Sequence, residues 1–259
     1  MKLLMPAAVA AAAVPLVLGV AGVASAQTSP TMYAATLRPV PLNNQVNASG
    51  SLTLTLNGDV ATVHEQVTGL AATFMGGPFP HVQHIHGGAK GVCPSASADA
   101  NHDGVISTTE GGPSYGAIQT TLSEAPGGTS AADGTNIKIA PSGSSYTYDR
   151  TIILDQATMT SLRSNIAVIV VHGLDPATAP KAATTEKSEI PGTSSLPLAA
   201  TAPALCGALV AMPAGGAQTG AGGTAGLQDT GLLALGSALL LGAGGTFIAG
   251  RRRAARHQG

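Results

Sequence analysis

The chain contains no tryptophan, and aromatic residues make up only 3% of its 259 residues. That scarcity argues against base stacking or an aromatic cage as the main activity. Charged residues reach 10%, against about 25% in ordinary soluble domains. No P-loop and no H-E-x-x-H pattern occurs, which removes the common nucleotide-phosphate and zinc-peptidase sites. No internal repeat is found, and cysteine is limited to two residues. The formal net charge of −1 hides a segregation of charge. Without Lys2, Arg251, Arg252, Arg253 and Arg256, 7 basic residues face 13 acidic ones, a net of −6, and every acid lies between Asp59 and Asp229. Such a body is a poor partner for nucleic acid.

Both ends are apolar. Lys2, the stretch Ala7 to Val23 and Ala24-Ser25-Ala26 give the charged start, hydrophobic segment and A-x-A site of a secretory signal peptide. Residues 1–26 are therefore expected to be removed after Ala26; the other reading is a membrane anchor kept at the N-terminus. Gly231 to Gly250 is a second apolar run, and about 20 such residues just span a hydrocarbon core of about 30 Å. Arg251, Arg252 and Arg253 would hold its end on the cytoplasmic side. Leu227-Gln228-Asp229-Thr230-Gly231 stands immediately before it. This order resembles the cell-wall sorting signal of Gram-positive surface proteins: an LPxTG-type pentapeptide, an apolar helix and a basic tail. The resemblance implies cleavage by a sortase between Thr230 and Gly231 and attachment of Thr230 to the wall, with Gln228 departing from the usual Pro. The plainer alternative is a single-pass anchor. Pro213 to Gly226 is almost all Gly, Ala, Thr and Pro and reads as a flexible stalk. The layout is thus a signal peptide (1–26), a folded body (27–212), a stalk (213–226) and a sorting signal with a transmembrane helix (227–259). It places the body outside a Gram-positive cell, anchored to its wall or membrane.

The body is patterned as strands. Ser51-Leu52-Thr53-Leu54-Thr55-Leu56 alternates strictly, Asn57-Gly58 signals a hairpin, and Val60 to Val67 returns in alternation. Further strands are expected at Met32–Leu37, His81–His86, Gly116–Leu122, Tyr146–Leu154, Ile166–Val171 and Leu205–Met212, separated by Gly, Pro and Ser clusters. The last apolar run but one, Ile166–Val171, reads as a central strand covered on both faces. One helical turn, Asp155 to Leu162, has Asp155 as its cap. His64-Glu65 reads as a solvent-facing pair within a strand. Seven or eight short strands without long helices predict an all-β fold, a β-sandwich or flattened Greek-key barrel. Two cysteines in an exported chain predict one disulfide, Cys93–Cys206, over two buried thiols.

The histidines suggest a metal. His84-Ile85-His86 has period two, so both imidazoles leave one face of a strand, and Val170-Val171-His172 ends another. Three imidazoles from two strands suit copper or zinc, with His81 or His102 as a fourth ligand; the bland reading is hydrogen-bonded surface groups. Thr68-Gly69-Leu70, a loop and His84-Ile85-His86-Gly87 resemble the CHRD domain of secreted bacterial proteins. The same string is similar to the Cu/Zn superoxide dismutases, as are Val170-Val171-His172, Cys93 and Leu205-Cys206-Gly207. That resemblance implies a dismutase-like, Ig-like sandwich, copper on His84, His86 and His172, and pairing of the two cysteines. It also implies zinc ligands that the loop after Cys93 lacks, and an arginine where Pro203 stands.

That loop carries a second pattern. Asp99 to Glu110 matches a calcium-binding EF-hand loop, with Asp99, Asn101 and Asp103 at positions 1, 3 and 5 and Gly104 at the turn. The carbonyl of Val105, the side chain of Ser107 and a bidentate Glu110 complete the set. Gly111-Gly112-Pro113 after it predicts no long flanking helix, hence a structural site without sensor motion. The bland reading is a polar turn. Two functions follow: a surface-anchored CHRD-like domain with a structural or binding role, stiffened by Ca²⁺; or a copper-dependent oxidoreductase of the dismutase type. Nothing in the sequence demands an enzyme.

Overall fold

The computed structural model describes residues 30–213. Ala26, nearly all of the stalk, Thr230, Gly231 and the C-terminal apolar run lie outside the described residues. Among the described residues, no helix is long and apolar enough to cross a membrane. The strands are β1 (Thr31–Pro39), β2 (Ser49–Asn57), β3 (Val60–Thr68), β4 (Thr73–Phe74), β5 (Gly77–Pro78), β6 (Gln83–Gly87), β7 (Ala117–Thr121), β8 (Ser145–Ile153), β9 (Val168–His172), β10 (Pro203–Ala208) and β11 (Val210–Ala211). The helices are α1 (Thr108–Tyr115), α2 (Gln156–Arg163) and α3 (Lys181–Thr185).

The fold is all-β, as its patterning predicts. One curled antiparallel sheet runs β7-β6-β9-β10-β1-β2-β3-β8, with β11 also paired to β1, and a small separate hairpin joins β4 to β5. Strand β1 serves both halves of the curl: Thr31 to Leu37 pair with β2, and Arg38 and Pro39 pair with β10. The β2–β3 hairpin closes between Asn57 and Val60, with Gly58 at φ 65°, a conformation open to glycine without strain. Leu52, Leu54 and Leu56 of β2 and Ala61, Val63 and Val67 of β3 point into one core together with Ile85, Ile169 and Val171 from the other half. Asp155 accepts from the Thr158 N–H and caps α2 as expected. The expected strand at Leu205–Met212 is broken at Leu209 into β10 and β11.

Two expectations are corrected here. His64 is exposed, where it pairs with Asp149 of β8, but Glu65 is fully buried. Alternation along β3 puts Val63, Glu65 and Val67 on the same inward face, so the two neighbours cannot both face solvent. The second is that Asp155 to Leu162 would be the one helical turn: α1, eight residues and not a long flanking helix, also forms, despite Gly111, Gly112 and Pro113. Ser107 and Glu110 make a reciprocal capping box at its start. The Tyr115 hydroxyl donates to the Thr108 carbonyl, and the ring lies so close to Gly111 that a Cβ there would meet it at 2.4 Å. Glycine is the residue that lets this ring close the turn.

Strand β9 is covered on both sides, as its continuous apolar run predicts. Ile169 and Val171 belong to the main core; Val168 and Val170 belong to a smaller cluster with Val40, Ile106, Tyr115 and Cys206. The second cluster exists because the segment from 88 to 116 folds over the outer face of β6, β9 and β10. The Cys93–Cys206 disulfide ties that segment to β10. Buried Asn43 clamps it as well: its side chain accepts from the Ile106 N–H at 2.8 Å and donates to the Ile106 and Pro203 carbonyls at 2.9 and 2.8 Å.

Candidate metal centre

Register fixes where the histidines point. His84 lies opposite Val170 and His86 opposite Val168, so both share the face that Val168, Val170 and, by alternation, His172 occupy. Cys206, opposite Val170, is on that face too. The covering segment buries all three imidazoles to 3% exposure or less. Their rings pack at centroid distances of 5.5 Å (His84–His86), 5.1 Å (His84–His172) and 6.1 Å (His86–His172).

Each ring has one nitrogen committed to a backbone carbonyl. His84 Nε2 bonds the Gly134 oxygen at 2.9 Å, His86 Nδ1 the Gly116 oxygen at 2.9 Å and His172 Nδ1 the Thr201 oxygen at 2.7 Å. A carbonyl accepts only, so each of these nitrogens carries the proton and the opposite nitrogen carries a lone pair. Those opposite atoms are His84 Nδ1, His86 Nε2 and His172 Nε2, all buried and all without a hydrogen-bond partner. The three side chains offer ligand atoms within 4.8 Å of one another. Points so spaced lie within about 2.8 Å of a common centre, so shifts of under about 1 Å bring them to the 2.0–2.1 Å of a metal–imidazole bond. Among the described residues, this is the one group of three or more His, Cys, Asp or Glu placed to hold a metal ion.

Electrostatics keep the lone pairs free. Burial drives all three pKa values down, to about 3 for His86 and about 4 for His172, and the mutual repulsion of the rings adds to it at His84 and His86. The rings are therefore neutral at pH 7, and no proton has to leave before a metal can bind. Carbonyl partners that fix the tautomer and orientation are what a metal-ligating histidine normally has behind it.

The fourth ligand expected from His81 or His102 is not supplied. Both His81 nitrogens face backbone carbonyls, of His172 at 2.9 Å and Ala71 at 3.0 Å. His81 precedes β6, which begins at Gln83, and its ring packs against Phe79 instead. His102 stands exposed on the loop at φ 62° and does not join the group.

The calcium pattern of residues 99–110 folds into a loop closed by its own hydrogen bonds. Glu110 accepts from the N–H groups of Ala100, Asn101 and Ser107, and the Asn101 amide donates to Asp103. Partial burial raises the Glu110 pKa, but these N–H donors outweigh it and hold the carboxylate below its usual range. Asp99 accepts from the Gly104 N–H through one oxygen; its other oxygen, Oδ1, is buried and unpartnered. The Val105 N–H bonds Asp103, and Ser107 caps α1.

Sequence reading missed the partners that matter most here. Gly116, Gly134 and Thr201 act through backbone carbonyls, which carry no side-chain signature. Gly112-Pro113-Ser114-Tyr115-Gly116 spells G-x-S-x-G, yet its first four residues lie in α1 and Gly116 is the helix's C-cap, so Ser114 does not stand on a strand-to-helix elbow. A cavity of about 510 Å³ adjoins His84 and His172. No family model matches the chain, and no curated protein matches it.

Proposed function

We propose that this chain is an exported, surface-anchored β-domain that binds one copper ion on His84, His86 and His172. The observation that carries this reading is the set of three buried, unpartnered imidazole nitrogens on side chains whose ligand atoms gather within 4.8 Å of one another. Copper is favoured over other divalent ions because nitrogen sites bind it most tightly in the first-row series. The signal peptide, the stalk and the sorting-signal resemblance support the surface location, with a sortase and the cell wall as partners. The test is copper titration of the purified chain, followed by paramagnetic resonance. We expect one copper per chain with nitrogen hyperfine structure, and an affinity at least about 100-fold lower in His84→Ala, His86→Ala and His172→Ala. Loss of an outer partner alone typically lowers affinity 10–100-fold, and loss of a ligand exceeds that. Because His86 and His172 take up protons only near pH 3 and 4, and burial likewise holds His84 well below its usual range, occupancy should hold from pH 8 down to about 5. Fewer than about 0.1 copper per chain, or full binding by the alanine variants, ends this reading.

A redox role at the same ion is the second reading. Three protein ligands leave a coordination position open, which catalytic sites keep and structural sites close. Superoxide turnover that vanishes in His172→Ala supports it; copper binding without turnover leaves a binding protein.

Calcium at residues 99–110 is a separate proposal, supported by the pattern and by the unpartnered Asp99 Oδ1. With a Kd of about 1 mM, 10 mM calcium adds about 1.4 kcal/mol to copper-free protein, which is about 3–5 °C in Tm. The increment should disappear in Asp99→Ala. An equal midpoint with and without calcium makes the loop a self-closed turn.

A further inference from the structure

The cavity beside the histidines has a chemistry of its own. At about 510 Å³ it falls within the usual range for small-molecule sites. Among the described residues, no Asp, Glu, Lys or Arg lines it. Its walls are Phe74, Phe79, Ile118, Ile137, Ile190 and Leu196, with threonine hydroxyls between them. The two phenylalanine rings stack at 4.6 Å and 19° and bring an aromatic pair to the wall. His84 and His172 complete the wall, along with Gly134 and Thr201, whose carbonyls hold those two rings.

Two large apolar wall residues are not shielded from water. Met75, in the turn between β4 and β5, is 81% exposed, and Ile137 is 57% exposed. Large apolar side chains grouped at an uncharged concavity mark a binding site more often than a scattered surface residue does. In the copper-free chain an anion finds no cationic side chain here to attract it, and burying its charge among these side chains would be costly.

We propose that this cavity binds a neutral, hydrophobic organic molecule, seated beside the stacked Phe74–Phe79 pair and against His84 and His172. The assignment rests on the copper reading only for what lies behind the histidines; the cavity's own ligand class follows from its lining. The probe pair N-phenyl-1-naphthylamine and 1-anilinonaphthalene-8-sulfonate tests it directly, since the two share a skeleton and differ by one sulfonate charge. Fluorescence titration of the full chain, with and without copper, should give saturable binding of the neutral probe and binding of the anion weaker by about tenfold or more. Ile137→Glu, at an exposed position that tolerates a charge, should weaken the neutral probe by a similar factor while copper stoichiometry stays unchanged. At saturation the neutral probe should shift the copper resonance spectrum. Equal affinity for the two probes, no saturable binding, or no effect of Ile137→Glu overturns the inference, and an unshifted spectrum overturns the seat against the histidines. Copper uptake without probe binding sinks this inference alone; probe binding without copper uptake sinks the copper reading alone.

Discussion

Glu65→Gln is more stable than the wild-type protein at pH 9 by on the order of 4–5 kcal/mol, and within about 1 kcal/mol of it at pH 5. Glu65 lies on the inward face of β3, with neither carboxyl oxygen in a well-formed hydrogen bond. Burial pushes its pKa from 4.5 up to about 8, and the Gln83 amide beside it offsets only part of that. The side chain is therefore a neutral acid in the folded state at pH 7. Below pH 4.5 the group is protonated in both states and has no effect. Between 4.5 and about 8 the unfolded chain ionises first, so stability falls with rising pH at up to 1.36 kcal/mol per unit. Above about 8 the loss is complete. The measurement is the difference in unfolding free energy between Glu65→Gln and wild type across pH 5–9, which removes the titration of every other group. Parallel curves would show that the buried carboxyl is ionised or solvated after all. Tyr146 and Tyr148, whose hydroxyl pKa values burial also raises, face the same region and stay neutral throughout.

Breaking the Cys93–Cys206 bridge lowers stability by about 4–5 kcal/mol and weakens copper binding with it. The separation of 113 residues makes the closed loop long, and loop entropy sets the size of the first effect. The second effect has a structural cause. Cys93 anchors the segment from 88 to 116 on the outer face of the sheet, and the Gly116 carbonyl at the end of that segment orients His86. Gly116 itself is tightly placed, at φ 91°, with its Cα so near the Gly87 carbonyl that a Cβ would meet it at 2.0 Å. Denaturant titration of the Cys93→Ser/Cys206→Ser variant measures the first effect, and copper titration of the same protein the second. Unchanged copper affinity in that variant would mean that Asn43 and the Ile106–Tyr115 packing hold the segment without help.

Much of this arrangement was legible in the residues themselves. Alternation located the strands, and the His-x-His spacing put His84 and His86 on one face before any pairing was known. The same rule of alternation, applied to Val63 and Val67, also marks Glu65 as inward; its charge alone suggested otherwise. Helix α1 was hidden because Gly111, Gly112 and Pro113 disfavour a helix locally, while the contacts that favour it come from Ser107, Glu110 and Tyr115 acting together. His81 shares the composition of the cluster and not its geometry, because its segment joins β6 only at Gln83. The cavity could not be read at all, since Phe74, Ile118, Ile137 and Leu196 meet from four separate loops or strand edges.

The carbonyls that orient the three imidazoles come from Gly116, Gly134 and Thr201, each in a different connection between strands. The connections that hold Gly116 and Gly134 flank β7, the one that holds Thr201 lies between β9 and β10, and none can aim its ring until it has docked on the sheet. A partly folded chain therefore holds scattered imidazoles that bind metal weakly, one at a time. Tight uptake begins only when the last of the three connections has closed. Under the copper reading proposed above, metal loading would then follow the docking of all three connections, and a loaded chain would be one that has finished folding.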